Sequence, residues 1–424
     1  MLIIQYQKML FKVLKLKLTL FLNGAEGMKD VSVLFYNQLL STFASTFGTF
    51  CISWIVFAET GSKFAMGGLW LVSIAGQLLV QFLAGPYIDR YQRTTMMKAS
   101  ESIRFSAFFL LWLMLLTDHT EIGFLYLTAF LTSITVYDPA AAALVPKLVK
   151  KDEFVKVNAK LSGGVQLMRF IALPASGLIL TAVHTLEALF FISMMFFISY
   201  LMIMKIKEPS IARVKQNSWL IQFKEGIHIY RKHLILLVLG CFITVTSFGV
   251  FATQTMYIPY IVETIGGSTL EYGFFAAAFP LGYILGSFAA AKISEPKHSL
   301  YLVMTSAVFL GGCTYLALGV TSVLWIAILI EVIAGTVMPF WNIYSTTLYQ
   351  RLVPDSILGQ VLSIRFLLTK AAAPLGIMYG TFCASQFGIP ALFLSIGLLI
   401  CTVSGGGLLI LTFLKKRNMV QRSP

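Results

Sequence analysis

Apolar residues in this chain come in long runs separated by short polar segments, too short for the loops of a barrel. Twelve runs are legible, at about 32–58, 64–86, 98–117, 121–144, 157–183, 186–205, 233–262, 269–291, 300–319, 323–348, 358–385 and 388–414. About 20 helical residues cross the ~30 Å hydrocarbon core of a bilayer. Lipid offers the backbone no hydrogen-bond partner, so each run is predicted to be a helix. Numbered as spans 1 to 12, they divide the loops into two sets. The loops after even-numbered spans and the C-terminal tail carry 21 Lys and Arg, whereas the other loops carry one, Lys63. Those other loops hold Glu59, Asp118, Glu121, Glu187, Glu263 and Glu271 instead. Basic residues stay on the cytoplasmic side. The pattern therefore predicts a multi-pass protein of the cell membrane with both termini in the cytoplasm.

The chain also repeats itself weakly. Tyr137-Asp138-Pro139 near the end of span 4 answers Met338-Pro339 near the end of span 10. Pro174 answers Pro374, and Leu148-Val149 answers Leu352-Val353. Duplicated six-helix halves, with substrate bound between them near the membrane midplane, are a transporter architecture. The expected organisation is an N-terminal extension (1–31), a first half (32–205), a central cytoplasmic loop (206–232), a second half (233–414) and a basic tail (415–424). The extension carries Lys8, Lys12, Lys15 and Lys17 on an amphipathic run, and Met28 is an alternative first residue.

Composition agrees. Of 424 residues, 58% are hydrophobic and 12% charged, and mean hydropathy is +0.82. A soluble surface needs more charge than that, and a disordered chain far fewer apolar residues. The net charge of +14 reports topology, and no nucleic-acid partner is expected. Cys51, Cys241, Cys313, Cys383 and Cys401 are scattered in apolar stretches, without disulfide or zinc spacing. No phosphate-binding G-x-x-x-x-G-K-[ST] loop and no H-E-x-x-H occurs, and the five His are dispersed. Neither a nucleotide-driven pump nor an enzyme is expected, and no cofactor.

One loop carries a local pattern. Gly85-Pro86-Tyr87-Ile88-Asp89-Arg90-Tyr91-Gln92-Arg93 joins spans 2 and 3. Gly85 permits close helix approach. Asp89, followed by Arg90 and Arg93, suits a charged latch against the positive N-terminal end of a neighbouring helix, with span 11 at Pro354-Asp355-Ser356 as the candidate. A solvated loop that merely obeys the positive-inside rule is the alternative.

This G-x-x-x-D-R-x-x-R loop resembles the signature loop of the major facilitator superfamily. Ser45-x-x-Gly48, Thr60-Gly61-Ser62, Glu101-x-x-Arg104, Pro139-Ala140, Asn158 and Pro174-x-x-Gly177 are similar to one branch of it. That branch holds macrolide-type and other drug:proton antiporters, siderophore exporters and lysophospholipid transporters. The resemblance covers about residues 32–414. It implies an all-α polytopic fold of twelve transmembrane helices in two pseudo-symmetric halves, driven by the proton gradient and working as a monomer. It also implies a small-molecule substrate and alternating access. In this chain Glu101 stands where the family more often has Asp. The pseudo-equivalent loop from Gly286 to Lys292 has lost its acidic residue.

Charges within the spans are costly unless they meet a partner or water. Glu331 lies about 12 Å deep in span 10. Arg169 and Lys370 lie mid-span in 5 and 11, 201 residues apart and hence pseudo-symmetric. The family fold lines its cavity with spans 1, 4, 7 and 10, flanked by 2, 5, 8 and 11, which places all three around one aqueous space. Glu331 is expected to be the coupling protonation site, with a static pair to Lys370 or Arg169 as the alternative. Arg169 and Lys370 either pair within the protein or favour an anionic substrate. Gln38, Thr42 and Ser45 form a one-face polar stripe on span 1, and Trp341 and Tyr344 extend the candidate cavity on span 10. The leading reading is proton-coupled efflux of a small amphipathic molecule. Export of an endogenous anion, lysophospholipid transport, and a non-transporting sensor on the same fold are the others.

Overall fold

A computed structural model describes residues 26–88, 91–117, 121–134, 136–149, 154–208, 234–292, 300–352 and 355–416. These residues form helices α1 (Glu26–Thr60), α2 (Lys63–Ile88), α3 (Arg93–Leu116), α4 (Ile122–Ser133), α5 (Tyr137–Leu148), α6 (Phe154–Ala182) and α7 (Thr185–Ile203). The second half comprises α8 (Leu234–Gln254), a one-turn α9 (Tyr257–Pro259), a π-helical turn (Tyr260–Ile265), α10 (Thr269–Lys292), α11 (Leu300–Val320), α12 (Leu324–Leu352), α13 (Asp355–Phe387) and α14 (Ile389–Lys416). Among the described residues, ten helices are long and apolar enough to cross a membrane.

The two expected spans outside that set differ in kind. Span 11 is α13, a continuous 33-residue helix that carries Arg365 and Lys370. Span 4, expected as one helix over 121–144, is instead two 12-residue helices, α4 and α5. Span 7 is likewise interrupted between α8 and α9. In both places a Tyr-x-Pro triplet, Tyr137-Asp138-Pro139 or Tyr257-Ile258-Pro259, opens the new segment. Proline lacks an N–H, and the first helical turn is where a missing N–H costs nothing. These two prolines therefore start a helix. By contrast Pro174, Pro280, Pro339 and Pro374 lie inside unbroken helices.

Helix α1 begins at Glu26, so the expected boundary at 31/32 falls within it. Residues 1–25 of the extension, 209–232 of the central loop and 417–424 of the tail lie outside the described residues.

The halves cohere by different means. In the first half, buried polar groups knit four helices together. The Asn37 amide donates to the Ser199 carbonyl (2.9 Å) and hydroxyl (2.7 Å) oxygens, while its Oδ1 accepts from the Tyr137 hydroxyl. One turn along α1, Ser41 donates to Glu101 Oε1 at 2.8 Å, and Arg104 pairs with the same oxygen at 3.2 Å. The Arg104 guanidinium also lies over the Tyr137 and Phe196 rings. Glu101 is wholly buried, a position tolerable for a carboxylate only because it is paired and hydrogen-bonded. In the second half, glycines bring backbones into contact. A Cβ on Gly282 or Gly286 would overlap the carbonyl oxygens of Val332 and Thr336, and one on Gly376 or Gly380 those of Phe248 and Ala252. Small residues at crossings are how helices pack where lipid removes the hydrophobic drive.

Candidate functional site at the seam between the halves

The turns at Gly61 and Gly266, both with positive φ, mark one face of the bundle, remote from the termini. There the halves close against each other. Lys63 pairs with Glu263 at 2.6 Å, and the Phe50 and Tyr272 rings lie 4.9 Å apart. On the α6–α10 crossing, a Cβ on Gly177 would reach the Thr269 carbonyl oxygen at 2.8 Å, and one on Gly273 that of Leu173 at 3.0 Å. On the α2–α13 crossing, Gly67 lies against Thr381.

Deeper in the bundle the same crossing carries Lys370. Its Nζ donates to Gln77 Oε1 at 2.8 Å and lies 5.7 Å from the Phe251 ring centroid. Ile74 of α2 packs there with Ala373 and Ile377 of α13. An ammonium near mid-membrane thus bridges the halves through a neutral amide.

Glu331 is 2% exposed and belongs to the second half alone. Its Oε1 accepts from the Tyr257 hydroxyl at 2.8 Å. Tyr257 stands in α9, directly after the break in span 7, with its ring against Phe275 and Phe393. The adjoining Tyr260 hydroxyl donates to the Leu318 and Thr321 carbonyls, both at 3.1 Å, and so fixes the start of the π turn. Among the described residues Glu331 makes no ion pair with Arg169 or Lys370.

Arg169 is exposed mid-way along α6. Gln38, Thr42 and Ser45 are half-buried on α1, off the face where Asn37, Ser41, Ala44 and Phe47 are buried. Trp341 and Tyr344 sit in the core of the second half, Trp341 with its ring 5.5 Å from Phe242. They wall the half from within. Asp138 is exposed in the first turn of α5.

Of the signature loop, Asp89 and Arg90 lie outside the described residues, and Gly85 is in the last turn of α2. Arg93 opens α3. A carboxylate does meet a helix N-terminus here, but it is Glu208, just past α7. Its oxygens accept from the backbone N–H groups of Arg93 (3.1 Å) and Thr94 (2.9 Å) and from the Thr94 hydroxyl (2.9 Å). Lys147 of α5 approaches at 3.4 Å. The α3 N-cap residue, Gln92, makes no side-chain cap bond, so Glu208 caps the helix from another part of the chain. Burial pushes the Glu208 carboxyl up. The Thr94 and Arg93 N–H donors, the Thr94 hydroxyl and the Lys147 ammonium outweigh it and hold the group below the usual carboxylate range.

Gln77, Glu208, Asn37 and the Tyr257 hydroxyl are not among the residues expected from the sequence. A polar residue inside an apolar run was the one available signal for Gln77 and Asn37.

A helical bundle whose halves meet along a seam, with ionisable groups inside it, is the arrangement of a membrane transport protein. The chain belongs to the Major Facilitator Superfamily, whose pattern matches residues 34–376. It is 20% identical over 397 residues to the uncharacterised MFS-type transporter YvqJ of Bacillus subtilis (strain 168), covering 92% of this chain and 93% of that one. It is 21% identical over 375 residues to macrolide efflux protein A of Streptococcus pyogenes, covering 87% and 92% respectively. Among solved structures, a bacterial homologue of the iron transporter ferroportin in an inward-facing state superposes with a TM-score of 0.68 at 16% identity, covering 91% of this chain and 100% of that one. The nucleoside transporter NupG also gives 0.68, at 11% identity, covering 91% and 99%. At such identities these structures speak for the fold.

Proposed function

We propose that the protein is a proton-coupled exporter of small amphipathic molecules, with Glu331 as the group that carries the proton. The observation that supports this reading is the setting of Glu331: buried, hydrogen-bonded to a phenol, and, among the described residues, without a cation. A carboxylate neutralised by Lys or Arg must break an ion pair to take up a proton. Beside a phenol it need not, because Tyr257 donates to the ionised carboxylate and accepts from the protonated one. The proton gradient is then the energy source, with no cofactor, and the working unit is a monomer.

The distribution of basic residues supports cytoplasmic termini. The Gly61 face is then external, and the seam is closed on the outside by Lys63–Glu263 and the α6–α10 crossing. Similarity to a macrolide efflux protein supports the outward direction. Alternating access follows when those contacts part and the opposite ends close.

The test is transport in inverted vesicles under an imposed pH gradient, with a panel that includes erythromycin. Wild-type protein accumulates substrate when the interior is acid, and Glu331→Gln does not while reaching the membrane in equal amount. Full activity in Glu331→Gln overturns the assignment.

A further inference from the structure

Arg169 has a place in the fold that proton coupling does not explain. The guanidinium is charged at every physiological pH, and at mid-membrane it is costly against hydrocarbon. It does not face hydrocarbon. The large apolar residues exposed on α6 are Leu167 (51%), Ile171 (46%) and Leu178 (57%). At 3.6 residues per turn they share one stripe, and Arg169 lies roughly 180° from it. Arg169 is itself exposed, so it is turned from the lipid side into the bundle. Helix α6 touches both halves there. Gly164 packs on Phe35 and Leu39 of α1, and Gly177 on Thr269 of α10.

The Gly164 contact also sets the register of α1 and α6, which run in the same direction. Counting on from it, Arg169 is about level with Thr42. Thr42 is the middle of the polar stripe Gln38, Thr42 and Ser45, which is half-open rather than packed in the core. The Gln38 Oε1 is buried and lacks a donor among the described residues. A guanidinium and an amide acceptor thus stand about one turn apart in depth at the seam.

Among the described residues, the charged groups around them leave Arg169 uncompensated. Among the described residues it makes no ion pair or hydrogen bond. Asp138 on α5 follows Tyr137, which is bound to Asn37, and so sits about one and a half turns nearer the termini. Lys370 is held by Gln77. Glu331 is enclosed with Tyr257.

From this arrangement we propose that Arg169 receives an acidic group of the transported molecule, a carboxylate, phosphate or sulfonate, with the Gln38–Thr42–Ser45 stripe taking its neighbouring polar atoms. A planar guanidinium suits such oxyanions through paired hydrogen bonds. The proposal deepens the export reading and rests on it: the amphipathic substrate is an anion or carries an anionic end.

The experiment measures the local preference for anions directly. Thr42→Cys is introduced after Cys51, Cys241, Cys313, Cys383 and Cys401 are replaced by alanine, and the protein is reconstituted in liposomes. The new thiol is modified with sulfonatoethyl methanethiosulfonate, an anion, and trimethylammonioethyl methanethiosulfonate, a cation. Their rate ratio is normalised to that for 2-mercaptoethanol. The ratio is expected to favour the anion by about 10-fold, to fall to about 1 in Arg169→Gln and to survive in Arg169→Lys. Ser45→Cys serves as a second reporter if Thr42→Cys protein is not monodisperse. A ratio of 1 or below with Arg169 present, a ratio unchanged by Arg169→Gln, or a thiol that neither reagent reaches overturns the proposal. The assay uses no pH gradient, so an intact ratio alongside a fully active Glu331→Gln protein would sink the coupling assignment and leave this one standing.

Discussion

The Tyr257 hydroxyl and the Glu331 carboxylate meet at 2.8 Å, joining the segment after the break in span 7 to α12 about two turns from its start. Removing that hydroxyl leaves the carboxyl buried with its donor gone. A hydrogen bond to a charged group is worth ~1.5–3 kcal/mol. Tyr257→Phe is therefore expected to slow pH-driven transport by about 10-fold or more. Its melting temperature in detergent should stay close to wild type, since the ring contacts with Phe275 and Phe393 remain. Initial rates in inverted vesicles, measured beside thermal stability, check both statements.

On the Gly61 face, Lys63 and Glu263 are 20% and 37% exposed, and a pair so wet is worth ~0–1 kcal/mol. Neutralising either residue is expected to change transport by no more than a few-fold. Locking them is different. If the seam must part there, a disulfide between Lys63→Cys and Glu263→Cys arrests transport and dithiothreitol restores it. Persistence of transport in the fully oxidised protein would show that the face does not open.

The α10–α12 crossing leaves no room for a side chain. Gly282→Leu and Gly286→Leu press against backbone oxygens of Val332 and Thr336, which cannot rotate away. Overpacking of this kind costs ~1–3 kcal/mol or more. Both variants are expected to lose several degrees of thermal stability. Gly311→Leu, at a glycine with nothing within 4 Å of its notional Cβ, should not.

Glu208 gives the fold a dependence on pH. Its folded carboxyl is held below the ordinary range by the α3 N-terminus and Lys147, so it contributes stability that is fully present above the ordinary carboxylate value. That contribution fades as the pH falls below about 4 and is gone once the folded group is protonated. Glu208→Gln is expected to melt earlier than wild type at pH 7, and the difference should vanish in acid. A gap that stays constant from pH 7 to pH 3 would contradict the assignment.

The long apolar runs made the helices legible, because a bilayer allows a long apolar segment no other form. Glu331, Arg169 and Lys370 stood out for the complementary reason, as charges where charge is costly. Their partners did not stand out. Which residue a charge meets depends on the rotation of each helix, and a helix that is apolar all round carries no periodicity to report it. Tyr257 and Gln77 face Glu331 and Lys370 only because of the span 7 break and the α2–α13 crossing. Glu208 was hidden differently. It reads as one loop acid among several, and only the meeting of α3, α5 and the end of α7 makes it a cap. The break in span 4 was in part readable, since Tyr137-Asp138-Pro139 was visible, but whether a proline bends a helix or begins one depends on the turn in which it falls.

The contrast between a hydrogen-bonded first half and a glycine-sealed second half reaches beyond folding. Water competes for the bonds of Asn37, Ser41, Tyr137 and Glu101, but it offers nothing in place of one backbone lying directly on another. The two halves are thus unequal in the face of a thin or leaky solvent. As a bilayer is exchanged for a small-micelle detergent, the first half is expected to loosen before the second, which faster amide hydrogen exchange in α1, α3, α5 and α7 than in α10 and α12 would report.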